Sequence, residues 1–355
     1  MKKIILTGGG TAGHVTPNIA LIPELRKLNF DIHYIGTKKG IERNLVENVG
    51  VKYYPITAGK LRRYFDLENL TDMARIIKGF LQSMNLMIKI KPDVVFSKGG
   101  FVATPVVWAA HLCRIPIVIH ESDITPGLAN RLSLPFADRV CYAFPETEKY
   151  IKKDKKYLTG IPIRNELFQG NAKKGKSMCG FTDEKPILLI IGGSQGSRFI
   201  NDVVRAGLKE LLKVFQVCHI CGKGNIDSTL LDLKGYKQFE YITEEQPHIF
   251  AMSDVVVSRA GATTLFEILS LKKPNILIPL SRRASRGDQI LNAESFRKNG
   301  FSYVLQEEEL NPSVLLETAL NVYKKKNDII NAMNSADLGN CTRKVIEVIL
   351  ELVEK

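Results

Sequence analysis

The residues of this chain best equipped for chemistry sit at turns between apolar runs and helices. Gly8-Gly9-Gly10-Thr11-Ala12-Gly13-His14 follows Lys3 to Thr7, and Gly192-Gly193-Ser194-Gln195-Gly196-Ser197 follows Ile187 to Ile191. A glycine turn that opens a helix presents unpaired backbone N–H groups and the positive end of a helix dipole, so each is a candidate anion cradle. The first ends in His14, an imidazole suited to general-base work near neutral pH; a histidine that caps its loop or binds diphosphate is the alternative. Glu121, at the end of the run Ile117 to His120, is a second candidate base. A third turn, Ser258-Arg259-Ala260-Gly261-Ala262-Thr263-Thr264-Leu265-Phe266-Glu267, opens another helix and carries a carboxylate that could accept two sugar hydroxyls or cap its own helix. Ser285-Arg286-Gly287-Asp288-Gln289-Ile290-Leu291-Asn292 adds polar side chains at one more such junction, and two junctions on one domain edge favour a sugar-nucleotide pocket over caps alone.

Alternating strands and helices must position these turns. After the first turn the pattern predicts strand Ile32 to Ile35, helix Ile41 to Val49, strand Val51 to Ile56, helix Leu67 to Ile90, strand Val94 to Ser97, helix Thr104 to Cys113 and strand Ile117 to His120. After the second it predicts helix Arg198 to Leu212, strand Val214 to Cys221, strand Phe239 to Ile242, helix Gln246 to Met252, strand Val255 to Ser258, helix Thr263 to Leu271, strand Asn275 to Pro279 and helix Gln289 to Lys298. Such alternation implies α/β architecture, with parallel sheets covered by helices on both faces. The two halves open alike, and the turn residues of Thr159 to Arg164 put the boundary near Ile163. The segment Ala336 to Lys355 has apolar residues at helical spacing and could pack on either half.

A chain of 355 residues accommodates two domains of ordinary size, and 45% hydrophobic with 25% charged residues is the composition of a folded globular protein. The 50 Lys and Arg against 37 Asp and Glu give a formal charge of +13, which favours nucleic acid, anionic lipid or phosphorylated ligands. No nucleic-acid motif accompanies the charge, so nucleic acid is not expected as a partner. The most apolar stretch, Phe101 to Ile119, carries Pro105, His111, Arg114 and Pro116, and the N-terminal apolar run is only Ile4 to Leu6, so neither a spanning helix nor a signal peptide is expected. The CxxC spacing of Cys218 and Cys221 lies in a strand-like run without a second Cys/His pair, and no Asp-x-Asp motif is present, so no metal site is expected.

Gly8, Gly10 and Gly13 satisfy the dinucleotide fingerprint GxGxxG, which makes a nicotinamide oxidoreductase the rival enzyme. That reading requires an acid at the end of the second strand, yet Ile32 to Ile35 runs into Gly36-Thr37-Lys38-Lys39, with Asp31 on the wrong side. A non-hydrolysing UDP-GlcNAc epimerase and a non-catalytic sugar-nucleotide binder are further alternatives.

The chain resembles the peptidoglycan glycosyltransferases of the GT-B superfamily that convert lipid I to lipid II. The resemblance spans nearly the whole length. It rests on Gly9 to Pro17, Lys91 to Val95, Gly99 to Val102, His120-Glu121, Gly160 to Arg164, Gly192 to Gly196, Ser258 to Thr264 with Glu267, and Asp288-Gln289 with Asn292-Ala293. It implies two Rossmann-like, doubly wound domains facing a cleft: residues 1–163 hold the acceptor and face the membrane, 164–335 bind UDP-GlcNAc, and a helix in 336–355 returns to the first. The implied donor contacts are Thr11, Ala12, Gly13, Arg164, Ser194, Ile242 beside the uracil, Ala262, Thr263, Thr264, Leu265, Glu267 and Gln289. The implied reaction moves GlcNAc to the 4-hydroxyl of MurNAc in undecaprenyl-linked lipid I, without a cofactor, for cell-wall synthesis at the cytoplasmic face of the membrane. Two positions depart from the pattern: His120-Glu121-Ser122-Asp123 stands where many members have His-Glu-Gln-Asn, and Asp288-Gln289 where many have Gln-Gln. Asp123 could still accept a hydroxyl.

Residues Leu67 to Ile90 carry Met73, Ile76, Ile77, Phe80 and Met84 at helical spacing among Arg75, Lys78 and Lys89, with Arg62 and Arg63 before them. By spacing alone this is a core face as readily as a docking surface. The resemblance implies a patch on an anionic membrane surface formed by Met73, Ile76, Ile77, Phe80 and, farther along, Trp108.

Overall fold

The computed structural model describes residues 1–59, 68–193, 196–282, 287–336 and 341–354, with the side chains of 68–71 outside that description. The chain divides into two compact units, Met1–Arg164 with Leu338–Lys355, and Asn165–Asp337.

The first unit is built on seven strands: β1 (Lys3–Thr7), β2 (Asp31–Thr37), β3 (Lys52–Ile56), β4 (Val94–Ser97), β5 (Ile117–Glu121), β6 (Arg139–Tyr142) and β7 (Lys156–Leu158). They are parallel in the order β3-β2-β1-β4-β5-β6-β7. The helices α1 (Thr16–Lys27), α2 (Ile41–Asn48), α3 (Glu68–Ile90), α4 (Ala103–Leu112) and α5 (Leu128–Ser133) connect them. Successive side chains of a strand point to opposite faces, and β1 shows it: Ile4 and Leu6 join one core layer with Leu21 and Leu25 of α1, while Ile5 joins another with Val106 and Val107 of α4. Because both faces are covered, strand residues are apolar without alternation.

The second unit repeats the plan with β8 (Ile187–Ile191), β9 (Gln216–Ile220), β10 (Tyr236–Phe239), β11 (Val255–Ser258), β12 (Asn275–Leu277) and β13 (Tyr303–Val304), parallel in the order β10-β9-β8-β11-β12-β13. Its helices are α6 (Ala172–Cys179), α7 (Arg198–Ala206), α8 (Leu208–Val214), α9 (Gln246–Met252), α10 (Ala262–Ser270), α11 (Asp288–Lys298), α12 (Pro312–Lys324) and α13 (Lys326–Ser335). The single helix expected over Arg198 to Leu212 is two, broken at Gly207, where a Cβ would stand 3.0 Å from Pro312 Cβ. The strand expected over Phe239 to Ile242 lies earlier, as β10, and Ile242 falls in the loop beyond it.

The last helix, α14 (Cys341–Val353), belongs to the first unit. Val345, Ile346, Val348 and Ile349 are buried in the core layer of Ile4, Leu6 and Leu21. Thr342 Oγ1 donates to Ile163 O at 3.4 Å, and Tyr157 of β7 donates to Glu351 at 2.8 Å. In both sheets the strand order reverses beside the first strand, between β1 and β4 and between β8 and β11. Ligands of open parallel sheets bind beyond the C-terminal strand ends at such reversals, where the glycine turns stand.

Candidate active site

In the first unit the turn after β1 is held from below by a buried polar network. Tyr34 of β2 donates to Gly8 O at 2.8 Å, and Asn18 of α1 donates to Thr7 O at 3.2 Å and to Tyr34 Oη at 3.1 Å. The turn after β4 presses on it: Gly100, at φ +86°, lies so close that a Cβ would meet Gly9 O at 2.2 Å. Only glycine permits that approach and that conformation. Thr11 precedes a single 3-10 turn, Ala12–His14. His14 Nδ1 lies 3.1 Å from Gly9 O and 3.1 Å from Thr11 Oγ1. A carbonyl can only accept, so Nδ1 carries the proton and the lone pair falls on Nε2, the tautomer a general base requires.

The same turn is reached by a side-chain carboxyl from α2 that spacing did not disclose. Glu42 of α2, fully buried, accepts from Thr37 N at 3.0 Å, Thr37 Oγ1 at 2.6 Å and Gly10 N at 3.4 Å. An internal carboxyl oxygen therefore takes the amide that an anion would use in the fingerprint. The default reading of this turn as an anion cradle is corrected at Gly10. Asp31 begins β2 and bonds His33 at 3.0 Å and Lys52 at 3.3 Å, at the strand end away from the turn.

Glu121 ends β5 and is 4% exposed. Its Oε1 accepts from Ser122 N at 2.8 Å and Asp123 N at 3.0 Å, its Oε2 from Gly127 N at 3.2 Å and Asn130 Nδ2 at 2.8 Å. Burial raises its pKa, with the Asp123 carboxylate adding to the rise and Asn130 opposing it. A carboxylate committed to four N–H donors at the root of a loop shapes that loop; this geometry argues against the role of base. His120 is buried beside it, Nε2 on Gly160 O at 2.8 Å, and burial holds the ring neutral.

In the second unit Gly196, at φ +75°, packs onto Cys221 O, which a Cβ would meet at 2.0 Å. Ser197 caps α7. Arg259, the residue after β11, ties this turn to its neighbours: Nη2 donates to Ser197 Oγ at 2.7 Å and Glu307 Oε1 at 2.6 Å, and Nη1 to Ile278 O at 3.2 Å. In contrast, Gly193 and Gly261 have no heavy atom within 4 Å of where a Cβ would stand, so space is open beside the backbone beyond the ends of β8 and β11. Gly261 is the N-cap of α10, whose first-turn N–H groups at Ala262, Thr263 and Thr264 have no helical carbonyl to bond. Glu267 is buried in the second turn of α10, past the position of a capping glutamate, which removes the capping alternative. Leu265 is fully buried and packs the helix, while Thr263 and Thr264 are half-buried.

Gln289, in the first turn of α11, accepts from Leu280 N at 3.1 Å, and Asn292 donates to Ala260 O at 3.4 Å, so α11 braces the turn before α10. Ile242 is half-buried beyond β10, on the same C-terminal strand edge. Arg164 ends the first of the two chain segments that make up the first unit. Ser194, Gln195, Ser285 and Arg286 lie outside the described residues, as do Arg62 and Arg63. Cys218 and Cys221 are buried in and just after β9; among the described residues no three His, Cys, Asp or Glu side chains group to hold a metal ion.

The expected patch divides. Met73 and Ile77 are exposed on α3, and Leu81 and Ile88 extend their stripe, with Leu112 of α4 exposed as well. Ile76 is a core residue at 6% exposure, Phe80 packs against the core, and Trp108 is half-buried with its indole N–H on Leu132 O at 3.3 Å. Ile76 is thereby corrected to a core position, while Phe80 and Trp108 pack inward with part of their surface still exposed. Neighbouring residues of a helix point about 100° apart, so the stripe passes through Ile77 and leaves Ile76 inside. Among the described residues no helix is long and apolar enough to cross a membrane.

Residues 4–142 match the glycosyltransferase family 28 N-terminal domain and residues 187–349 its C-terminal domain. The chain is 56% identical over 354 residues, 100% of its length and 98% of the relative's, to a Clostridium tetani protein named UDP-N-acetylglucosamine–N-acetylmuramyl-(pentapeptide) pyrophosphoryl-undecaprenol N-acetylglucosamine transferase. A Clostridium kluyveri protein of the same name is 57% identical over 349 residues, 98% of this chain and 99% of that one. Among solved structures, MurG of Acinetobacter baumannii superposes with a TM-score of 0.78 at 25% identity, over 99% of this chain and 100% of that one. UDP-GlcNAc 2-epimerase of Neisseria meningitidis, solved with UDP-GlcNAc, shares the fold at a TM-score of 0.71 and 15% identity, over 99% and 100% of the two chains.

Proposed function

The chain belongs to glycosyltransferase family 28, and from that premise we propose that it transfers N-acetylglucosamine from UDP-GlcNAc to the 4-hydroxyl of N-acetylmuramic acid in undecaprenyl-linked lipid I, giving lipid II for peptidoglycan. Relatives more than half identical over nearly their whole length carry the name of that transferase. The observation that carries the reading is the open strand edge of the second unit, where Gly193 and Gly261 leave room for a diphosphate against the first turn of α10 and the buried Glu267 can accept sugar hydroxyls.

UDP-GlcNAc is held chiefly by the second domain, with Thr263, Thr264 and the first turn of α10 at the diphosphate, Ile242 at the uracil, Glu267 at hydroxyls, and Arg164, Ser194 and Gln289 as further contacts. The acceptor is held by the first domain, where Thr11, Ala12 and Gly13 are further donor contacts and the turn they form places His14 at the reacting centre. The acceptor's 4-hydroxyl oxygen attacks the anomeric carbon as the bond from that carbon to the diphosphate oxygen breaks. The hydroxyl proton passes to His14 Nε2, and UDP leaves with its charge met by helix N-termini. One displacement inverts the α-linked donor to a β-linked product. With Glu42 already on the Gly10 amide, the first turn presents the base, and the diphosphate is left to the second domain.

The lipid-linked acceptor lies at a membrane, and the formal charge of +13 suits an anionic cytoplasmic face. The Met73, Ile77, Leu81 and Ile88 stripe of α3 supplies an apolar contact for peripheral docking.

The test is turnover of sugar-labelled UDP-GlcNAc by the full chain, with and without lipid I and with and without EDTA. Label is expected in β-linked lipid II only when lipid I is present. Conversion of UDP-GlcNAc without an acceptor would replace transfer with epimerase or hydrolase chemistry.

A further inference from the structure

We propose that Lys98 is a positioning residue for transfer: its ammonium compensates the Glu121 and Asp123 carboxylates, so that the turn from Ser122 to Gly127 presents Asp123 to a hydroxyl of the bound sugar. This rests on the transferase reading above. Lys98 follows β4 and is 1% exposed, with its N–H on Thr7 O at 2.9 Å. Its Cβ stands 3.2 Å from where Gly8 would carry one, so its chain runs directly beneath the first glycine turn. From there it reaches the turn after β5, where Nζ donates to Ser122 Oγ.

The charged and titratable groups facing it are Glu121 and Asp123 on that turn and His120 on β5. The glycine turn and α1 pack there too: beside the place of a Gly8 Cβ stand Lys98 Cβ, Asn18 Nδ2 and the backbone carbonyl of His14, the titratable residue of that turn. Burial outweighs the two carboxylates and lowers the ammonium to about 8. Asp123 itself is half-buried, with its carbonyl accepting from Thr147 Oγ1 at 3.2 Å.

Two carboxylates two residues apart on a buried edge do not both stay ionised without a cation beside them. Glu121 must be ionised to accept its four N–H donors with both oxygens. Without Lys98 the Glu121 carboxyl, already pushed up by burial and by the Asp123 carboxylate, loses an opposing charge and takes up a proton more readily. A protonated Glu121 loses acceptor capacity, one of Ser122, Asp123, Gly127 or Asn130 loses its partner, and Asp123 moves off its position. Replacing Asp123 by Asn removes the repulsion while keeping an oxygen that accepts a hydroxyl.

The experiment compares the full chain with Lys98→Met, Asp123→Asn and the double variant, measuring kcat and acceptor KM separately from about pH 6 to about pH 9.5, a span that brackets the ordinary His and Lys ranges. Wild-type transfer stands or falls first, and so tests the transferase reading by itself. Given transfer, Lys98→Met is expected to lose about tenfold in kcat/KM, the equivalent of one pKa unit on a carboxylate. The double variant is expected to recover most of that loss. The wild-type profile falls above about pH 8 as Lys98 gives up its proton, and the double variant lacks that limb. A double variant no better than Lys98→Met, or one with the same alkaline limb, overturns the proposal. If Lys98→Met does not fold, Ser122→Ala removes only the Nζ acceptor and is expected to move the limb to lower pH; an unmoved limb overturns the proposal equally.

Discussion

His14 Nδ1 stands 3.1 Å from the carbonyl oxygen of Gly9, five residues before it in the same turn. The backbone thus chooses the tautomer, so the proposed role of base depends on the loop as much as on the imidazole. His14→Ala is expected to lower kcat about 10²–10⁴-fold, the usual worth of a positioned general base. UDP-GlcNAc affinity by calorimetry should change little. A variant that turns over normally removes His14 as the base.

Glu121→Gln separates a loop-holding carboxylate from a catalytic one. Gln keeps one acceptor oxygen where Glu offers two, so at least one of the four N–H donors is stranded. We expect a stability loss of about 1–3 kcal/mol, read as a lower denaturation midpoint. Loss of turnover with an unshifted midpoint would return Glu121 to the chemistry.

Glycines of the second unit offer a paired test. Gly261 has open space where a Cβ would go and an ordinary φ of −70°, so Gly261→Ala should cost the fold about 1 kcal/mol or less as a poorer N-cap. In the proposed binding mode the added methyl stands where the diphosphate approaches α10, and the KM for UDP-GlcNAc should rise. Gly196→Ala meets Cys221 O at 2.0 Å with φ at +75°, and should disrupt the second domain whatever the ligand. Equal effects of the two substitutions would remove the distinction between the packed and open turns.

Ile77→Ser with Leu81→Ser should weaken binding to vesicles containing anionic lipid while leaving the melting curve in place, since both side chains are exposed. Ile76→Ser one residue away should instead unfold part of the first domain, because Ile76 is core. Undiminished vesicle binding by the exposed pair would locate docking elsewhere.

His219 bonds Asn201 at 3.0 Å and Tyr236 at 2.8 Å, and burial with Arg205 nearby lowers its pKa to about 3. Between that value and the ordinary 6.5 the unfolded chain binds a proton that the folded one refuses, so stability falls as pH drops below 6.5. The slope is about 1.4 kcal/mol per pH unit for each such group, and His120 in the first domain acts in the same direction. Urea midpoints of the wild type and His219→Gln across this range check it; a slope unchanged by the substitution would exonerate His219.

The parallel sheets were legible because each begins with an unmixed apolar run ending in glycines, a pattern that only a buried strand entering a tight turn satisfies. Helices α12 and α13 were not anticipated, although Asn311 before Pro312 is a helix start and its side chain accepts from Ser313 and Val314 N–H at 3.1 Å. Glu42 could not be found by spacing, since Gly10 lies 32 residues away and only the β2–α2 turn brings them together. Lys98 was invisible for a different reason. Sequence places a lysine on the surface by default, and its burial follows from two turns closing over it.

Helix α14 comes after the whole second domain in the chain yet fills the core beneath β1 and α1. During synthesis the first domain therefore waits: β1 to β7 emerge before the second domain, but the interior they form stays unsealed until α14 has left the ribosome. The second domain, contiguous from Asn165 to Asp337, can mature before it. A lesion in the codons for Cys341 to Val353 would strike the domain whose other elements precede the second domain in the chain.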